Sequence, residues 1–223
     1  MNLSTRLFAC LLAVACTAAD AAPAAATSTL DTTANAAATA TAATAAVRQR
    51  LQLAPVVQGR FEQAKTIKGF RNALVSHGEF MVARGQGVWW HTQQPFESTL
   101  VVTRTRIFTR AGDGTSANVA DAQGEPGLRQ VNELVFSLLS ADLDALADRF
   151  AIEAQAVGAA GWTLTLTPRD ANVAKFLARA TIAGDRFVQT VRIDEARGDS
   201  TQIRFSHQSP SESLSAADAA RLQ

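Results

Sequence analysis

Residues 59–102 read GRFEQAKTIKGFRNALVSHGEFMVARGQGVWWHTQQPFESTLVV, and their alternation describes a hydrophobic groove with one cation in it. Along residues 76–84, Phe80, Val82 and Arg84 fall on one strand face and Glu79 on the other. The next strand puts Val88 and Trp90 on one face, with Trp89, His91 and Gln93 opposite. An arginine that ends an otherwise apolar row is costly unless it finds partners. Arg84 is therefore a candidate functional residue.

Working outward, strand signals recur at 56–65, 76–83, 87–93, 98–103 and 106–110, followed by a Gly112-Asp113-Gly114 turn, where glycine supplies a positive φ. Residues 47–53 read as a short helix stopped by Pro55. In residues 128–139, Leu128, Val131, Leu134, Val135 and Leu138 form an apolar stripe at helical spacing. A second short helix at 141–148 adds Leu143 and Leu146. Strands resume at 150–156. Trp162, Leu164 and Leu166 then alternate with threonines, Phe176 to Ile182 alternate likewise, and Phe187 to Ile193 follow a turn at Gly184-Asp185. Ile203 and Phe205 mark the last strand, and residues 216–222 a terminal helix. This order predicts an open antiparallel sheet of about ten or eleven strands, each with one apolar face. The helical insert at 128–148 is its expected cover. A dry core and an enclosed cavity both fit the pattern.

Residues 1–22 carry the parts of a secretory signal: Arg6, an apolar run from Leu7 to Ala15, then small residues. The run is shorter than the roughly 20 apolar residues of a membrane span. The expectation is an exported chain, soluble beyond its start. Cys10 and Cys16 are the two cysteines, so cleavage near Ala22 leaves no thiol to support the fold. Ala13-Val14-Ala15-Cys16 also loosely resembles a lipoprotein cleavage box with Cys16 acylated, although alanine stands at the usual leucine position. Ordinary cleavage is the better match. Residues 23–46 are nearly all Ala and Thr and read as a flexible linker. About 175 residues from Val47 to residue 223 then suit a single domain.

The formal net charge of +1 is made of interspersed charges, which argues against nucleic acid as a partner. The densest basic cluster, Arg104, Arg106 and Arg110, fits a solvated strand face or a contact to lipid headgroups or an acidic partner. His77, His91 and His207 are scattered, so no metal or other cofactor is expected. There is no Gly-x-Ser-x-Gly elbow and no glycine-rich phosphate loop. The expectation is a protein that is not an enzyme, with no catalytic residue to name.

Arg60-Phe61-x-Gln63, Gly78-x-Phe80 leading to Arg84, Trp90-His91-x-x-x-Pro95 and Ser98-x-Leu100-Val101 together resemble the periplasmic outer-membrane lipoprotein carrier family (LolA-like). The match is most specific over 59–102 and continues to about 207 through element order. The resemblance implies an α+β, mainly β half-barrel capped by lid helices around a hydrophobic cavity. It also implies a periplasmic, monomeric carrier that takes acylated lipoprotein from an inner-membrane transporter to an outer-membrane receptor. On this chain the implied acyl-binding residues are Phe80, Val82, Val88, Trp90, Leu100, Val102, Leu134, Val135 and Leu138, with Arg84 closing the lid. A rim arginine paired with a nearby carboxylate is the plainer reading of Arg84.

Gly85 stands where the family usually has proline, and the Ala/Thr linker is not typical of the carrier. Related proteins serve fatty-acid and pigment biosynthesis, so another lipid is an alternative cargo. A lipid-sensing protein and, with Cys16 acylated, a receptor of the same fold are alternative roles. Burying acyl chain yields roughly 0.8 kcal/mol per CH₂. Three full chains would then exceed the ceiling of roughly 20 kcal/mol for a reversible complex. A releasing carrier must therefore bury only part of its load or spend binding energy on opening its lid.

Overall fold

The computed structural model describes residues 43–121 and 143–223. A helix, α1 (43–50), leads into a meander of β1 (Val56–Thr66), β2 (Leu74–Ala83), β3 (Gly87–Gln94), β4 (Ser98–Thr103), β5 (Arg106–Ala111) and β6 (Ser116–Asp121). The second part runs α2 (Leu143–Arg149), β7 (Phe150–Val157), β8 (Gly161–Pro168), α3 (Ala171–Ala174), β9 (Leu177–Gly184), β10 (Val188–Glu195), β11 (Ser200–Ser211) and α4 (Ala216–Arg221).

All eleven strands form one antiparallel sheet in the order β6-β5-β4-β3-β2-β1-β11-β10-β9-β8-β7. Every neighbour but one is a sequential strand, as short hairpin connections favour. The exception joins the meanders. There β1 and β11 pair along nearly their full length, from Val56↔Ser211 to Thr66↔Ser200. Strands β6 and β7 end the order without pairing to each other, so the sheet is an open half-barrel.

Cross-strand rows define the two faces. On the inner face Val57, Val82, Val88, Val102 and Ile107 lie in one register row, and Phe80, Trp90 and Leu100 in the next. Trp162, Leu164, Leu166, Ala180, Ile182 and Ile203 continue that face as buried core. It is covered by Val47 from α1, Leu51 just after it and Leu146 from α2, all buried. Arg50 fixes α1 by donating to the Gly161 carbonyl in the β7–β8 turn.

Gly78 shows why one strand pair needs a residue without a side chain. A Cβ there would lie 1.9 Å from the His91 carbonyl oxygen and 2.9 Å from the Phe61 ring. The ring therefore closes over bare backbone and stacks on Trp90, with centroids 3.8 Å apart. In the β5–β6 turn Gly114 has φ +82, as the Gly-Asp-Gly pattern requires. Asp113 accepts from the Thr115 hydroxyl and amide at 2.6 and 2.9 Å, and these bonds hold its carboxyl below the usual pKa.

Several features differ from the expectation. Helix α1 begins at 43, inside the presumed linker and upstream of the expected boundary at Val47, because alanine extends a helix that Val47 and Leu51 anchor. Strand β6 and helix α3 carry no apolar period and were not legible. The sheet also has a second apolar face. Val56, Met81, Ala83, Val101 and Phe108 are buried with Leu222, and Trp89 and Leu214 pack against them. Their cover is α4, capped by Ser215, whose hydroxyl accepts the Asp218 amide at 3.1 Å. Arg106 and Arg110 lie over the Phe108 ring at 5.7 and 5.1 Å, and Arg110 donates to the Gln223 carbonyl at 2.7 Å. Arg110 thus ties the C-terminal segment to the outer face. The helix expected at 128–139 and the signal segment at 1–22 lie outside the described residues.

Candidate functional site

One cavity opens on the inner face between the two meanders. The first contributes Val57, Phe80, Val82, Val88 and Trp90; the second contributes Phe187, Val188, Val191 and Phe205. Leu51, Leu53 and Ala54, in the connection from α1 to β1, form one lip. Alternation along β2 and β3 aims Phe80, Val82, Val88 and Trp90 at this space, since Phe80 pairs with Trp90 and Val82 with Val88. Phe205 meets the Phe80 ring edge-on at 4.8 Å and the Trp90 ring at 6.0 Å. The floor is thus an aromatic cluster continuous with the core.

The polar residues at the cavity are Gln52, Arg84 and Gln208. Gln52 accepts from Arg186 at 2.7 and 3.2 Å, and its amide donates to the Arg186 carbonyl at 2.6 Å. Gln208 donates to the Val188 carbonyl at 2.7 Å. It is brought there by an irregularity in the β1–β11 pairing at Gln58/Arg60. Among the described residues that line it there is no carboxylate, hydroxyl, imidazole or thiol. The volume open to the centre of a water-sized sphere is about 70 Å³, several times the roughly 10–15 Å³ that one water needs. Such a space suits a short apolar segment.

Arg84 lies just past the end of β2, in the turn that Gly85 makes with φ +74, and it is exposed. It stands at the cavity rim, on the side of Phe80 and Val82. Its amide donates to the Pro55 carbonyl at 2.8 Å, so the rim turn is tied to the lip. Leu100 and Val102 are not among the residues that border this cavity. They share register rows with Trp90 and Val88 but sit one strand further out, packed with Ile107 instead of bordering the cavity. Alternation assigns a face without saying how far along a row a cavity extends. Leu134, Val135 and Leu138 lie outside the described residues. The second-meander half of the wall was missed as a site, although Phe187, Val191 and Phe205 were legible as strand residues.

The Trp-His pair divides between the faces. Trp90 lines the cavity, whereas His91 faces outward, with Nδ1 2.9 Å from Thr99 Oγ1 and its ring stacked on Trp89. Among the described residues no cluster of three or more His, Cys, Asp or Glu is placed to hold a metal ion, and no helix is long and apolar enough to cross a membrane.

The family model described as outer membrane lipoprotein carrier protein LolA matches residues 53–218. The chain belongs to the LolA family. The match spans both meanders and thus all the strands that line the cavity. No curated protein matches this LolA-family chain in sequence. Among solved structures it is similar to a DUF1329 family protein from Desulfovibrio piger, with 11% identity over 83% of this chain and 98% of that one, and a TM-score of 0.48. It is also similar to a putative outer membrane lipoprotein-sorting protein domain from Vibrio parahaemolyticus, with 9% identity, 82% and 97% coverage, and a TM-score of 0.44. A LolA superfamily protein from Nitrosomonas europaea gives 7% identity, 77% and 93% coverage, and a TM-score of 0.44.

Proposed function

We propose that this LolA-family protein is a periplasmic carrier whose inner-face cavity takes up an acyl chain of a lipoprotein or another lipid. The observation that carries this reading is the lining itself: aliphatic and aromatic side chains, with the glutamine groups of the rim engaged by the protein. Such a wall rewards an apolar ligand and leaves a polar one unpaired. The acyl-binding residues are Phe80, Val82, Val88 and Trp90, joined by Val191 and Phe205. Lipid enters from an inner-membrane transporter and leaves to an outer-membrane receptor. Residues 1–22 direct export.

The small cavity supports partial burial of the load, which keeps binding reversible. Roughly 0.8 kcal/mol per buried CH₂ makes even a half-buried chain a substantial ligand.

Fatty-acyl titration of delipidated protein tests the reading by tryptophan fluorescence. Trp90 borders the cavity, Trp89 packs on the outer face, and Trp162 is buried away from the lining. A saturable change is expected in wild type and in Trp89→Phe, with most of it lost in Trp90→Phe. Absence of saturable binding would overturn the carrier.

Arg84 is assigned the role of holding the cavity closed when empty, acting from the rim. Arg84→Leu is expected to retain its cargo longer while melting like wild type, because the empty closed state is no longer favoured. Release to acceptor vesicles at the wild-type rate would reduce Arg84 to a rim charge.

A further inference from the structure

We infer that the β1–β2 hairpin tip is a docking surface for an anionic lipid bilayer. Residues 66–76 read TIKGFRNALVS, with two cations and no acidic residue. Phe70, Leu74 and Val75 are 69, 58 and 45% exposed. Single exposed apolar residues are ordinary on a surface. Three within six residues at the end of a hairpin concentrate exposed apolar surface of the kind that marks an interaction site.

The tip is held in shape. The Phe70 amide donates to the Ile67 carbonyl at 3.0 Å, and Gly69 makes the turn with φ +90. The Lys68 amide donates to Asp199 Oδ1 at 2.9 Å, fastening the tip to the β10–β11 turn. The acidic groups of that neighbouring turn are therefore engaged, since Glu195 pairs with Lys65 at 2.6 Å. Lys68 and Arg71, both exposed, flank the apolar side chains. Exposed Phe and Leu between cations match an interface of acyl chains under anionic headgroups. Pairing of β2 with β3 starts only at His77↔Gln94, so Leu74 to Ser76 stand clear of the sheet on that side.

The tip lies at the opposite end of β1 from the cavity mouth. Val57 borders the cavity and Thr66 begins the tip, a separation of roughly 30 Å at about 3.3 Å per residue. Docking by the tip thus leaves the mouth open to a protein partner. The inference does not rest on the acyl-binding reading, because none of the tip residues borders the cavity.

Vesicle flotation of the full chain tests it, with phosphatidylcholine vesicles alone or containing one third phosphatidylglycerol. Every variant keeps the same residues 1–42, so differences between chains report the tip. Phe70→Ser with Leu74→Ser is expected to lower partitioning into the mixed vesicles about tenfold or more. Lys68→Glu with Arg71→Glu is expected to lower it comparably on mixed vesicles, to leave pure phosphatidylcholine unaffected, and to remove the salt dependence. Thermal melts and acyl-ligand fluorescence should stay at wild-type values in both variants. Flotation of both variants at the wild-type level would overturn the inference. So would a wild-type dimer in sedimentation that the serine variant splits without any change in flotation, which would make the tip an interface between copies.

Discussion

Val82→Asp is expected to abolish acyl binding while the domain stays folded. Val82 borders the cavity between Val57 and Val88 in one register row and is only half-buried. An ionised carboxylate there keeps its water or pairs with Arg84 across the mouth, and either arrangement excludes the chain. A polar group facing an apolar ligand without a partner costs about 3 kcal/mol, or roughly a hundredfold in affinity. Val82→Thr is the control. It keeps the shape and adds one hydroxyl, so a loss of about tenfold is expected. Affinity measured by acyl titration, alongside a thermal melt, decides this. An unaffected affinity in Val82→Asp would show that the ligand sits elsewhere, and a collapsed melt would show that Val82 is core.

Trp162→Ala is expected to be the most destabilising of these substitutions. Trp162 is 1% exposed in the inner-face core, and its indole N–H donates to the Asp185 carbonyl in the β9–β10 turn. Truncation removes a large buried ring, at about 3–5 kcal/mol. It also leaves a carbonyl without its donor, at about 1–3 kcal/mol. Against a total stability of about 5–15 kcal/mol for a domain, most of the folded population is at risk. Trp162→Phe separates the two effects, because it keeps apolar bulk and loses the hydrogen bond. It should therefore cost much less. Urea unfolding followed by far-ultraviolet circular dichroism measures both; equal midpoints for Ala and wild type would mean that the ring packs loosely.

Strands β1 to β5 were legible because each has a half-buried alternating row with a turn signal behind it. The same rule found Trp162, Leu164 and Leu166. It failed at β6, where Ser116 to Asp121 has no such row. It also missed the apolar outer face, because Met81, Trp89 and Val101 occupy positions that alternation assigns to solvent when only one cover is considered. The missing information was α4, a helix of six residues too short to show a stripe.

Local pattern by itself placed every strand but β6 along the chain and set the side from which Phe80, Val82, Val88 and Trp90 project. Those follow from the period of two along a pleated chain. The family resemblance was carried by short motifs within 59–102, and the matching family extends over 53–218. Only the tertiary structure decided that β1 pairs with β11, which brings Phe187, Val191 and Phe205 opposite Trp90 to complete the cavity. It also decided that Leu100 and Val102 pack beyond the cavity's edge and that Arg84 stands at its rim. The physical reason is common to all three. A strand's period fixes direction, whereas enclosure depends on long-range pairing and on what covers each part of the row.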